Sequence, residues 1–152
     1  MKSVRKTTLT LVVCLIACCS AFSQQTGSTK PALFASFPSN LAISEQSILN
    51  ILSLQREQEL TLQFGNGFNF PCKVLRTDAD NARVKTVIIR SSSFDNAILQ
   101  LSMFTDEAGA INYTGRIMNV RAADGYVLQK TSSGTYELKK FETDTVLETC
   151  AQ

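Results

Sequence analysis

Apolar and polar residues alternate along much of the chain after Glu59, and this period of two constrains the fold more than any other feature. The segments 60–64 and 68–74 both place an apolar residue at every second position. Because alternate side chains of a β-strand point to the same face, the pattern predicts strands with one face in a core. The continuous apolar run at 87–89 predicts a central strand that is covered on both faces.

Turn signals separate the predicted strands. Glycine, which readily takes positive φ, occurs in the segments 65–67, 106–109 and 132–134. Asp124–Gly125 is typical of a type I′ hairpin turn. The turns from Gly109 to Gly134 recur about every ten residues, which is the rhythm of an antiparallel meander. The sequence therefore predicts a mainly β domain, an antiparallel meander of about seven strands that forms a small sandwich or a partly closed barrel.

One helix is predicted ahead of the strands, over about residues 44–54. The hydroxyl of Ser44 can accept a hydrogen bond from the free backbone N–H groups of the first turn. Ile43 and Ile48 flank this residue at the spacing of a hydrophobic staple. The apolar residues of the segment keep mostly to one side of a helix, so we expect an amphipathic helix that packs on the sheet.

The predicted organisation has three parts. Residues 1–23 are expected to be a signal peptide and residues 24–40 a flexible N-terminal arm, whose portion 31–40 lies extended on the domain. Residues 41–152 are expected to form a single β-rich domain. The stretch 7–17 is apolar but shorter than the roughly 20 residues that a membrane-spanning helix needs. With the positive residues before it, this stretch is typical of a secretory leader.

Two processing sites are compatible with this leader. Cleavage after Ser23 follows small residues and would give a soluble protein that is secreted or periplasmic. The sequence that ends at Cys18 is similar to a bacterial lipobox, so acylation of Cys18 would instead give a membrane-tethered lipoprotein. Cleavage before Cys18 would leave Cys19 as an unpaired thiol in an oxidising compartment. We therefore favour soluble export, with the lipid anchor as the alternative, and expect no transmembrane segment after processing.

Removal of the leader after Ser23 would leave two cysteines, Cys72 and Cys150. In an oxidising compartment they are predicted to form a disulfide, and closing so long a loop stabilises a fold by roughly 4 kcal/mol in the chain-entropy account. Two free thiols are the alternative.

Composition excludes several kinds of chemistry. The chain has no histidine, so it contains neither a Ser-His-Asp nor a Cys-His catalytic site, and no zinc site built on imidazole. No glycine-rich phosphate-binding loop is present. Without the leader's Lys2, Arg5 and Lys6, 12 basic residues face 13 acidic ones, and the basic residues are scattered. Nucleic-acid binding needs a concentrated positive face, so we predict no nucleic-acid partner. Because the residues of the common catalytic, zinc and phosphate-binding sites are missing, we also predict no catalytic residue, no metal and no cofactor.

A polar loop that carries one aromatic residue is the candidate recognition loop. Loops on rigid β scaffolds often carry binding residues, although a plain connection between strands is the alternative. Its residues are Ser91, Ser92, Ser93, Phe94, Asp95 and Asn96. Three other aromatic residues are assigned to the core rather than to an exposed docking patch: Phe64, Phe68 and Phe70.

The segments Thr114–Met118, 124–126 and 134–138 share a spacing of glycine and aromatic residues. Over about residues 84–141, this spacing resembles that of the β-rich prosegments of secreted bacterial metalloproteases. The resemblance implies a protein that shields a peptidase or helps it to fold. The sequence departs from such proteins because neither a peptidase domain nor a zinc-binding histidine motif follows.

Together these features predict a non-enzymatic secreted or envelope-associated β-domain that binds a protein or an envelope component. One alternative is a stand-alone protease inhibitor or chaperone of the prosegment kind. The other is a small barrel that holds an apolar ligand between its strands.

Overall fold

The computed structural model describes residues 30–81 and 83–142, which form one antiparallel sheet of eight strands, bent into a half-barrel, and a single α-helix. The predictions of a mainly β fold and of one N-terminal helix are confirmed, and the sheet takes the form of the partly closed barrel. The elements are β1 (Asn40–Ile43), α1 (Glu45–Leu52), β2 (Glu59–Phe64), β3 (Phe68–Asn81), β4 (Val84–Ser91), β5 (Ile98–Thr105), β6 (Ile111–Met118), β7 (Asp124–Lys130) and β8 (Tyr136–Glu142).

The strands from β2 to β8 follow one another in the sheet as they do in the chain, and β1 pairs with β8 at the far edge. The two edge strands, β1 and β2, therefore belong to the two free sides of the half-barrel. The turn after β2 approaches β1 closely, since a Cβ atom added to Gly65 would lie 3.2 Å from the carbonyl oxygen of Ala42. The half-barrel thus comes near to closing at this point.

Buried side chains on the concave face of the sheet form one core. An aromatic cluster lies within it, with neighbouring ring centroids 4.7–6.5 Å apart. Its members are Phe34, Phe37, Phe64, Phe68, Phe70, Phe94 and Tyr126. The assignment of Phe64, Phe68 and Phe70 to the core is confirmed.

Helix α1 covers part of the concave face and packs over β4 and β5. The Ser44 hydroxyl accepts a hydrogen bond from the backbone N–H of Ser47 at 3.0 Å, which confirms the predicted N-cap. The buried residues of the helix are Ile48, Ile51 and Leu52. Tyr113 of β6 donates a hydrogen bond from its hydroxyl to Glu45 at 3.1 Å and so ties the first turn of the helix to the sheet.

Most of the predicted turns are present. Asn66 and Gly67 have φ values of 61° and 75°, and Gly109 and Gly134 also have positive φ. The prediction of a turn at Asp124–Gly125 is wrong, because both residues belong to β7 and the chain turns earlier, at 119–123. A Cβ atom at Gly125 would lie 2.8 Å from the Phe141 ring, so glycine is required there for close packing rather than for a turn.

The segment that precedes β1 belongs to the domain. The backbone N–H groups of Leu33 and Phe34 donate hydrogen bonds to the carboxylate of Asp124 at 2.6 and 2.9 Å. Tyr126 donates its hydroxyl hydrogen to the carbonyl of Pro38 at 2.7 Å. Phe34 is fully buried, so the described part of the predicted flexible arm contributes to the core instead of lying only on the surface.

Several predictions fall on other parts of the chain. The predicted leader 1–23 with Cys18, the first part of the arm (24–29) and Cys150 lie outside the described residues. Within residues 30–81 and 83–142, no helix is both long and apolar enough to cross a lipid bilayer.

Candidate binding groove

The predicted recognition loop connects β4 with β5, and Ser91 supports it from inside. Ser91 is buried at the end of β4, and its hydroxyl donates a hydrogen bond to the carbonyl of Pro71 at 3.1 Å. The same oxygen accepts hydrogen bonds from the backbone N–H groups of Ser93 and Phe94. Ser91 therefore shapes the loop and does not present a free side chain to a partner.

Phe94 anchors the loop in the aromatic cluster. Its ring stacks on that of Phe70 with an interplanar angle of 13° and a centroid distance of 5.7 Å. Its centroid also lies 5.4 Å from the centroids of Phe34 and Phe68. Aromatic contacts of this kind add to the free energy of burial, so Phe94 fixes the loop to the core.

Asp95 and Asn96 lie at the exposed end of the loop, where both have positive φ values, 45° and 60°. Asparagine and aspartate adopt this region more readily than other residues that carry a side chain. The side-chain amide of Asn119, which follows β6, donates a hydrogen bond to the carbonyl of Asp95 at 2.6 Å. Its oxygen accepts a hydrogen bond from the backbone N–H of Arg121 at 2.8 Å. One largely buried amide thus joins the loop 91–97 to the loop 119–123.

A groove of about 450 Å³ lies between these two loops, and we call it the loop groove. Its floor is the outer face of β5 and β6, whose side chains alternate with the buried Leu99 and Ile117. The lining residues are Asp95, Asn96, Ile98, Gln100, Arg116, Met118, Asn119, Val120 and Arg121. Ile98 and Met118 are cross-strand partners, and Val120 is 78% exposed, so apolar surface is available to a ligand.

The charge of the loop groove is positive, because two arginines and one carboxylate, that of Asp95, line it. Arg116 contacts the side-chain oxygen of Gln100 at 3.5 Å, which is long for a hydrogen bond. The guanidinium of Arg121 has no hydrogen-bond or ion-pair partner in the part of the chain that the structure describes. Both guanidinium groups can therefore bind an anionic ligand without breaking an ion pair between described residues.

A second groove, of about 300 Å³, continues along the sheet from the first. The β6–β7 ladder runs only from Arg116↔Val127 to Met118↔Gly125, whereas β7 goes on pairing with β8 as far as Lys130. The second groove lies where β6 and β7 separate, and it shares Gln100 and Arg116 with the loop groove. The two grooves together follow β6 along its outer face.

The recognition loop and the groove overlap only in part. Asp95 and Asn96 line the loop groove, whereas Ser91 and Phe94 are structural, and Ser92 and Ser93 do not line it. Sequence reasoning missed Arg116 and Arg121. Arg116 lies at an outward-facing position of a strand, and this alternation was the one available signal.

Cys72 lies in the core at 4% exposure, and burial raises the pKa of its thiol. Its predicted partner, Cys150, is outside the described residues, so the disulfide stays a prediction. The segments that carry the prosegment resemblance lie mainly in β6, β7 and β8. Within the described ranges, no group of three or more acidic or cysteine side chains is placed to hold a metal ion.

Comparison of the chain with protein families, with curated proteins and with solved structures finds no match in any of the three.

Proposed function

We propose that this protein is a non-enzymatic, exported β-domain that binds another protein through the loop groove. The observation that carries the proposal is the open groove between two braced loops, with an exposed valine and an arginine that no described residue pairs. Recognition sites commonly combine apolar contact area with a few polar groups that fix the orientation of the ligand.

The bracing of both loops supports this proposal. Phe94 holds the loop 91–97 to the core, and Asn119 joins it to the loop 119–123. A surface that is already ordered loses little conformational entropy when a partner binds, so more of the contact energy remains as affinity. The groove is thus suited to binding without a large rearrangement.

The filled interior favours binding on the outer surface over binding inside the barrel. Phe64, Ile89, Leu101 and Ile117 are all at most 7% exposed and belong to one core. Close-packed side chains leave little room for an apolar ligand. A ligand in the half-barrel would have to displace these side chains, whereas the loop groove is open.

Export and the lack of catalysis are parts of the same proposal. The charged and apolar leader supports export, and the absence of histidine removes the most common catalytic base. A protein partner is favoured over a nucleic acid because the basic residues outside the leader are balanced by acidic ones.

The test compares two substitutions that each place a carboxylate at an exposed apolar position. Val120→Glu alters the loop groove, whereas Ile111→Glu alters the opposite end of β6, where the side chain is 51% exposed. The tagged proteins are used to capture partners from the envelope and medium fractions of the source cell. We expect the wild-type protein and Ile111→Glu to capture the same partner, and Val120→Glu to fail to capture it. Capture that is unchanged by Val120→Glu would contradict the proposal.

A further inference from the structure

We infer that the loop groove takes an extended acidic peptide segment that also carries an apolar side chain. This inference rests on the proposed function and specifies the chemistry of the partner. It is carried by the charge of the groove, by its apolar floor and by its continuation along β6.

The two arginines supply the charge argument. Arg121 has no partner for its guanidinium among the described residues, and Arg116 has one long contact, to Gln100. A guanidinium presents its N–H donors as a planar fork that matches both oxygens of a carboxylate. A ligand that brings carboxylates to this groove gives both arginines the partners that the described residues do not supply.

The remaining lining residues limit how acidic the ligand can be. Asp95 places a carboxylate in the same groove, and like charges at close range repel. Ile98 and Met118 lie side by side on the floor, and the exposed Val120 extends this apolar surface. A peptide that carries both acidic and apolar residues satisfies both parts of the groove, whereas a uniformly acidic one does not.

The shape of the site favours an extended ligand. The loop groove and the second groove share Gln100 and Arg116, so together they reach from Asn119 to Thr114 along β6. At about 3.3 Å per residue, this distance is roughly 16 Å, the length of about five extended residues. An acidic segment of this length can lie along the strand with Arg121 near one end and Arg116 further along.

The same features make a membrane surface a weaker match. Attraction to anionic lipids depends on several basic residues that lie together at the surface. The loop groove offers two arginines with a carboxylate among them, and its apolar residues line a recess. We therefore assign the groove to a peptide.

The test measures the binding of two fluorescein-labelled peptides by fluorescence anisotropy. One peptide has the sequence Glu-Glu-Leu-Leu-Glu-Glu, so that each face of the extended chain carries both residue types, and the other has glutamine in place of every glutamate. Each is titrated with the full-length protein and with the variants Arg121→Gln, Arg116→Gln and Lys139→Gln. Lys139 is the matched control, because it is an exposed cation on β8 that lines neither groove.

We expect the acidic peptide to bind the wild-type protein at least about tenfold more tightly than the neutral one, a difference that one charge-assisted contact can supply. Arg121→Gln and Arg116→Gln should each remove most of this preference, and Lys139→Gln should leave it within about twofold. Equal binding of the two peptides, or an equal loss with Lys139→Gln, would overturn the inference.

Two further outcomes would also overturn it. Binding to vesicles of anionic lipid that Arg121→Gln abolishes would assign the groove to a membrane. Self-association in sedimentation experiments that Arg121→Gln abolishes would assign it to a second copy of the chain. If Val120→Glu loses the captured partner while the peptides do not differ, the ligand class is wrong and the proposed function stands. If Val120→Glu changes nothing, the proposed function itself fails.

Discussion

Asp124 accepts a hydrogen bond from the backbone N–H of Phe34 at 2.9 Å, across 90 positions of the sequence. The second carboxylate oxygen accepts a hydrogen bond from the N–H of Leu33. Because Asp124 is only 4% exposed, solvent screens these bonds little. This carboxylate holds the segment before β1 against the start of β7 and so keeps the Phe34 ring in the core.

Replacing Asp124 with asparagine tests this attachment. The Asn side chain has only one oxygen, so one of the two buried N–H groups would lose its acceptor. We expect Asp124→Asn to lower the free energy of unfolding by about 2 kcal/mol. Glu107→Gln, in an exposed turn, makes a similar change of charge and should stay within about 0.5 kcal/mol. Urea unfolding measures both, and equal effects would contradict the role given to Asp124.

Phe94 is predicted to stabilise the recognition loop through the contacts of its ring with other aromatic rings of the core, and not through contact with a partner. Phe94→Ala should lower the free energy of unfolding by about 3 kcal/mol, at the low end for a lost aromatic ring because Phe94 is only partly buried. Hydrogen exchange of the loop amides should also become faster. Ser93→Ala, at the neighbouring exposed position, is the control and should change neither measurement. Unchanged stability of Phe94→Ala would show that the ring does not anchor the loop.

Gly125 is predicted to tolerate no side chain. A methyl group there would meet the carbonyl oxygen of Ile117 at 2.5 Å and the Phe141 ring at 2.8 Å. Gly125→Ala should therefore lower the free energy of unfolding by about 2 kcal/mol, since overpacking of a close contact strains the backbone. Gln129→Ala, at an exposed position of the same strand, should cost little. If Gly125→Ala unfolds at the same midpoint temperature as the wild-type protein, the close contact is refuted.

Tyr126 is predicted to make stability depend on pH in the alkaline range. Burial, followed by the charge of Asp124, raises the pKa of Tyr126 to about 12 in the folded protein. The unfolded phenol titrates near its ordinary value of about 10, so the unfolded state loses its proton first. The contribution of Tyr126 is complete below about pH 10 and is lost as the pH rises towards about 12.

Tyr126→Phe isolates this contribution, because Tyr113, whose pKa is also raised, remains in both proteins. The wild-type protein should lose more of its unfolding free energy than Tyr126→Phe between about pH 10 and about pH 12. Parallel pH profiles of the two proteins would contradict the burial of the phenol.

Local patterns were sufficient to locate the strands after Glu59 and the helix. The period of two marked the strands, and Ser44 marked the start of α1, because both features depend on neighbouring residues. The pairing of β1 with β8 joins residues that are about a hundred positions apart, and no local pattern encodes it. Two glycines with different roles also look alike in the sequence. Gly134 has positive φ in a turn, whereas Gly125 is required because its backbone packs closely against Phe141.

The site was predictable only as a region. The polarity of the loop 91–96 drew attention to it, but the burial of Phe94 depends on four rings that come from two other segments, the stretch before β1 and the strand β3. The partnership of Asn119 with Asp95 joins two loops that are separated by β5 and β6, so it too is a long-range contact. The lack of a described partner for the Arg121 guanidinium could be recognised only once its surroundings were known.

The measurement that tests the central claim most directly is a map of amide chemical-shift changes on adding the captured partner to the isotope-labelled protein. Binding through the loop groove predicts the largest changes for residues 95–100 and 116–121, and small changes for β1 and β2. Changes that concentrate on the edge strands, with those two segments unaffected, would contradict the account.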